Sequence, residues 1–296
     1  RHFENYPDAK VKIPADVYPP RKGKPEYSRN KEQWIKGSNG LPVLKAGRFA
    51  GRTVTGKFIH GTDIHSLERQ YNQGVLAIDE GVGKLIKALK ETGQYDNTLI
   101  VFGADQGIAW GQKGFQMKLA PYDGTIRGPL IVSMPEKFPT GKVCSKPVGG
   151  ADLVPTFFKT AGIELPWKMH GRDLTPLLEK PTRKDWKSPL LLAHTGMSFG
   201  EDCNDVIDMK DDPIYQKQRV PWWVSLRTDR YKYIRNLLPG ETEEIYDMKK
   251  DPDELVNLAI HEKHLNLLRK LRQETISELE RTDCAFARKM PAVLNP

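Results

Sequence analysis

The chain has 296 residues, 38% hydrophobic and 28% charged, with 46 Lys and Arg against 38 Asp and Glu and a net charge of +8. That is enough chain to bury one large core, or one large and one small, with the composition of an ordinary globular protein. No stretch approaches the roughly 18 consecutive apolar residues of a transmembrane helix, which excludes a helical membrane span.

Residues 1–60 are rich in Pro, Gly and Lys and show no sustained period, so they are expected to be mostly extended loop. A loop of that length is either an excursion over a site or a chain that begins mid-domain. The opening RHFENYPDAK has no apolar stretch and does not read as a signal peptide. Arg21, Lys22 and Lys24 are broken up by Pro19, Pro20 and Pro25. They form no basic face with interleaved aromatics, so nucleic acid is not the expected partner and a solvated basic surface is. The positive balance otherwise suits a sulfated or phosphorylated molecule.

Residues 66–92 repeat Leu67, Tyr71, Val75, Ile78, Val82, Leu85 and Leu89 at three- and four-residue steps. That spacing predicts a helix with one apolar stripe against a core, stopped at Gly93. Thr98–Phe102 is a continuous apolar run, as expected of a strand in the buried middle of a parallel sheet. A second such run spans Pro129–Ser133, and a short helix follows from Asp152 to Ala161 with Gly162 behind it. The pattern is α/β. Beyond about residue 190, short strands are predicted at 190–193, 222–226, 231–234 and 244–246. A closing amphipathic helix carries Leu265, Leu268, Leu271 and Leu279, giving a small antiparallel sheet with one helix on it. Cys144, Cys203 and Cys284 form no CxxC pair, so a zinc knuckle is not expected, while one disulfide with a free thiol stays open.

The residues that could carry chemistry start at Asp105-Gln106-Gly107, just past the strand run. Ligands gather beyond the carboxyl ends of strands in open α/β sheets. A carboxylate beside an amide oxygen offers hard donors for Ca²⁺ or Mg²⁺. Taken alone, the pair reads as a polar turn. Lys118 follows as a compact positive charge able to hold an anionic oxygen. His60, His65, His170 and His194 read as surface or locally hydrogen-bonded histidines, and Trp222 and Trp223 as core.

The stretch DNTLIVFGADQG, then GQKG, then K-x-x-x-Y-D-G-x-x-R-x-P-L-I-V, resembles the second signature region of the sulfatases. RQYNQGVLAIDEGVG, ADLVPTFFKTAGI, HGRDLTPLL, RTDRYKYIRN and EIYDMKKDPDELVNLA match other segments of that family in the same order. The resemblance implies an alkaline phosphatase-like mixed α/β sheet sandwiched by helices over 1–190, then a small α+β subdomain over 191–296.

It further implies a metal-dependent sulfate-ester hydrolase, with Asp105 and Gln106 on the metal (Ca²⁺, with Mg²⁺ the alternative) and Lys118 on the sulfate. Lys113 stands where the family has His; it either adds charge near the site or faces solvent, and solvent is favoured. His194 would approach the leaving group, so Lys113 and His194 are carried as substrate-binding candidates. Asp123, where Glu is usual, would fix the loop together with Arg127. Ala104 and Gly128 also depart from the family pattern.

The family attacks with a formylglycine made within C/S-x-P-x-R, and the nearest match, Ser145-Lys146-Pro147-Val148-Gly149, has Gly where Arg is required. The nucleophile is therefore expected on a missing N-terminal segment of the same protein, and this chain alone is expected to be inactive. The substrate class implied is a sulfated small molecule or polysaccharide, and the location periplasmic, secreted or lysosomal. The alternatives are a phosphate or phosphonate ester hydrolase of the same superfamily, or a non-catalytic module binding sulfated glycans.

Overall fold

The computed structural model describes residues 2, 4–5, 10–45, 53–54, 57–58, 63–116 and 118–293; His60 lies outside them. In chain order the first elements are α1 (Glu26–Arg29), β1 (Trp34–Lys36), β2 (Pro42–Leu44), β3 (Thr53–Val54) and β4 (Lys57–Phe58). The next are α2 (Ile64–Glu91), β5 (Ile100–Gly103), α3 (Asp123–Ile126), β6 (Leu130–Ser133), α4 (Leu153–Ala161) and α5 (Thr175–Glu179). The last are β7 (Leu190–His194), α6 (Pro213–Gln218), β8 (Trp223–Arg227), β9 (Tyr231–Asn236), β10 (Glu244–Asp247) and α7 (Leu265–Arg281). The chain forms two compact units: one holds residues 1–22, 28–118 and 124–136, the other 23–27, 119–123 and 137–296.

In the first unit the period-less N-terminal segment is only partly loop. β1 and β2 form an antiparallel hairpin, as do β3 and β4. Trp34 packs with Val17, Leu44, Ile64 and Leu67 in one apolar cluster. Backbone without regular structure must still place its carbonyls, and here one side chain takes several of them. Arg21 donates to the carbonyls of Asp16 (2.6 Å), Val17 (2.9 Å), Ser28 (2.9 Å) and Lys31 (2.9 Å). The expected solvated basic surface holds at Lys22, which is exposed, and is corrected at Arg21 (5% exposed) and Lys24 (1%). Each of these two is buried because it meets acceptors that its sequence neighbours do not reveal.

The helix read from the sequence is α2. Asp63 caps it by accepting from Ser66 N at 3.1 Å, and Gly93 (φ 68°) follows its C-cap, Thr92. Its stripe is buried only in the first turn, at Ile64 and Leu67, while Tyr71, Val75, Ile78 and Leu85 are exposed. A second correction concerns β5. It pairs with β6 antiparallel, Ile100 opposite Ser133 and Gly103 opposite Leu130, and among the described residues these two strands form the whole ribbon. Ile131 is 62% exposed. An apolar run reports which faces of a strand avoid water, not the direction of its neighbour, and the long connection over residues 104–129 allows either direction.

The second unit is built on a four-stranded antiparallel sheet in the order β10-β9-β8-β7. One face carries Val224, Leu226, Tyr233 and Ile245, packed with Leu268, Leu271 and Leu279 of α7. That is the sheet-and-helix arrangement expected from the sequence. The other face is also covered, by the two short segments 23–27 and 119–123. Strands with both faces covered can bury charge only if it is paired, and Lys232 and Glu244 are both nearly inaccessible there.

Candidate active site

β5 delivers the chain to Asp105, two residues past the last strand residue. Gly107 then brings this turn against the 124–127 backbone. A Cβ there would lie 2.7 Å from Arg127 O and 3.0 Å from Gly124 O, so only glycine fits without moving backbone. The Asp105 carboxylate is exposed and accepts from Gln106 N at 2.8 Å. Lys118 Nζ bridges both of its oxygens, at 3.0 Å from Oδ1 and 2.8 Å from Oδ2. The ammonium holds the Asp105 carboxyl below the ordinary carboxylate range, chiefly through that hydrogen bond. Asp105 and Lys118, thirteen residues apart, are therefore brought together as the sequence reading requires.

Gln106 Oε1 is buried and has no hydrogen-bond partner. An orphaned amide oxygen beside a carboxylate fits the donor set of a hard cation such as Ca²⁺ or Mg²⁺. Such a cation takes about six to eight oxygens; these residues would supply only part of that shell. Among the described residues no group of three or more His, Cys, Asp or Glu side chains is placed to hold a metal.

Lys113 does not face solvent, which corrects the favoured reading of it. The residue is 1% exposed, sits at φ 54°, and pairs with Asp16 at 2.9 Å. The partner lies 97 residues upstream, so no local pattern could signal it.

The segment after Lys118 is gripped within the second unit at four points. Trp223 Nε1 donates to Leu119 O at 2.7 Å, and Tyr122 hydroxyl meets Glu244 at 3.1 Å. Asp123 N donates to Glu254 at 2.9 Å, and Lys232 joins Asp123 (2.7 Å) to Glu254 (2.6 Å). Leu119 itself adopts φ 83°, a conformation that non-glycine residues rarely hold without such support. Asp123 thus fixes this loop through Lys232 and Glu254. Burial pushes the Glu244 carboxyl up, and Lys24 nearby opposes that shift. Sequence reasoning passed over Lys232, Glu244 and Glu254.

His194 closes β7 in the second unit. Its Nε2 is buried without a partner and its ring lies 5.9 Å from that of Trp223, which is core as expected. Burial lowers the His194 pKa from 6.5, with the charge of Asp212 opposing. The folded state therefore disfavours the protonated form, and the unfolded chain binds the extra proton first. The stabilisation is present above about pH 6.5 and is lost as pH falls through the lowered folded value. His194→Gln is expected to abolish that component, leaving a flatter stability curve between pH 7 and 5 by urea denaturation; an unchanged curve would contradict it. His65 is hydrogen-bonded, but not locally: its Nδ1 accepts from Val11 N, 54 residues upstream, at 3.1 Å.

The sequence pattern described as Sulfatase matches residues 2–163, and that described as N-sulphoglucosamine sulphohydrolase, C-terminal, matches residues 111–282. The chain belongs to the sulfatase family. It is similar to N-acetylglucosamine-6-O-sulfatase of Bacteroides thetaiotaomicron, 30% identical over 78% of this chain and 39% of that protein. In fold it is similar to BT4656, solved with its substrate D-glucosamine-2-N,6-O-disulfate, with a TM-score of 0.72 at 23% identity over 96% of this chain and 62% of the other. A phosphonate monoester hydrolase from Silicibacter pomeroyi, 27% identical, superposes with a TM-score of 0.63 over 77% of this chain and 44% of its own. This chain therefore spans about 39% of the length of that curated sulfatase. The alkaline phosphatase-like α/β fold and sulfatase membership expected from the sequence both hold.

Proposed function

We propose that the whole protein hydrolyses a sulfate ester of a carbohydrate, and that this chain supplies the Asp105 and Gln106 oxygens to a divalent cation and the Lys118 ammonium to the sulfate. The observation that carries the reading is the meeting of Lys118 Nζ with both Asp105 oxygens at the end of β5. A carboxylate and an ammonium so placed can hold a cation and an anion side by side. When bound, the cation would neutralise charge on the ester and its leaving oxygen. Lys118 would hold a sulfate oxygen and stabilise the charge that develops as the S–O bond breaks. Lys113 lies too deep to reach substrate without giving up Asp16. The sulfated-sugar names of the relatives support the substrate class, and a periplasmic, secreted or lysosomal location is proposed with it.

The nucleophile is proposed to lie on a further segment of the same protein, which also covers the exposed apolar residues of α2 and the β5–β6 ribbon. That part is supported by the exposure of Tyr71, Ile78, Leu85 and Ile131 and by the relatives' greater length. The test is turnover by the 296-residue chain and by the gene product extended upstream, each offered an aryl sulfate and an aryl phosphate. The extended protein is expected to prefer the sulfate and the shorter chain to be inert. A preference for phosphate would favour the phosphonate-hydrolase reading that the Silicibacter likeness raises. Glycan binding without turnover of either ester would overturn the enzymatic one.

A further inference from the structure

The two oxygens that Asp105 offers a cation are the same two that Lys118 occupies, at 3.0 and 2.8 Å. Among the described residues the ammonium has hydrogen bonds only to this carboxylate. A hard cation binds carboxylate oxygen at about 2.3–2.6 Å, so it cannot take both oxygens while Nζ remains across them. The side chains are 41% and 76% exposed, and an exposed ion pair opens at small cost. The long Lys118 side chain can turn about its own bonds.

We propose that Lys118 is an exchangeable counter-charge: it closes on Asp105 until a divalent cation takes the carboxylate, and is then released to the oxygens of the sulfate. The inference rests on the assignments of Asp105 and Lys118 made above and adds a linkage between them. A cation that displaces the ammonium frees an anion ligand, and an anion that draws the ammonium away frees a metal ligand. Cation and sulfate then strengthen each other's binding by the same factor in either order. Part of that factor comes from direct attraction, and the part carried by Lys118 disappears with its charge.

Calcium titration calorimetry on the whole protein, with and without sodium sulfate, separates these parts. Without sulfate, Lys118→Met is expected to bind calcium about two- to fivefold more tightly than wild type, the scale of an exposed ion pair. Adding sulfate is expected to tighten calcium binding more in wild type than in Lys118→Met. Equal calcium affinities without sulfate, or an equal sulfate effect in both proteins, would overturn the exchange. Asp105→Asn separates the two failures. If it weakens calcium binding while Lys118→Met changes nothing, the exchange alone falls. If calcium binding ignores Asp105→Asn, the metal assignment falls with it.

Discussion

Replacing Lys118 with alanine in the whole protein is expected to lower kcat on an aryl sulfate by about 10²–10³, the loss typical of removing one group that stabilises developing charge. The effect belongs in kcat because the charge on the bridging oxygen grows as the S–O bond lengthens, so the ammonium's contribution is largest beyond the ground state. Lys118→Arg is expected to recover only part of the rate, since a planar guanidinium presents its donors in a different geometry from a compact ammonium. Steady-state kinetics of the three proteins decide it. A fall of less than about threefold for Lys118→Ala would remove Lys118 from the reacting centre.

Lys232→Met is expected to destabilise the second unit by about 3–5 kcal/mol, measured by chemical denaturation, because it leaves the buried Glu254 and the partly buried Asp123 without their shared cation. Lys232 is 1% exposed and sits 2.7 Å from Asp123 and 2.6 Å from Glu254. The comparison with an exposed pair such as Lys87 with Glu91, worth at most about 1 kcal/mol, shows why location decides the outcome. Adding Glu254→Gln to Lys232→Met is expected to restore part of the loss, since the unpaired charge and not the missing contact is the larger cost. A loss below about 1 kcal/mol for Lys232→Met would mean the cluster tolerates an unbalanced charge.

The two variants probe parts of the molecule that the sequence exposed to very different degrees. Asp105 and Lys118 were singled out by the resemblance to the sulfatases, since Asp105-Gln106 taken alone reads as a polar turn, and the structure brings the two side chains together. The helix over 64–91 and the four strands of the second unit were legible for a different reason, since their periodicity and turns are local.

Charge burial was not legible. Lys24 looked solvated between prolines, yet it donates to Glu254 O across 230 residues of chain and stacks 4.0 Å from the Tyr246 ring. Lys113 looked solvated in a glycine-rich turn, yet it pairs with Asp16. In each case the burial follows from a partner that only the fold brings near. The direction of the β5–β6 pairing was hidden for a similar reason, as an apolar run carries no record of which way its neighbour runs.

We propose that Asp105 and Lys118 together hold a cation and a sulfate at the end of β5. A crystal structure of the whole protein grown with calcium and inorganic sulfate tests it most directly. Calcium is expected at about 2.3–2.6 Å from an Asp105 carboxylate oxygen, with Lys118 Nζ moved onto a sulfate oxygen. Calcium bound elsewhere, with Lys118 still closed across both Asp105 oxygens, would contradict it.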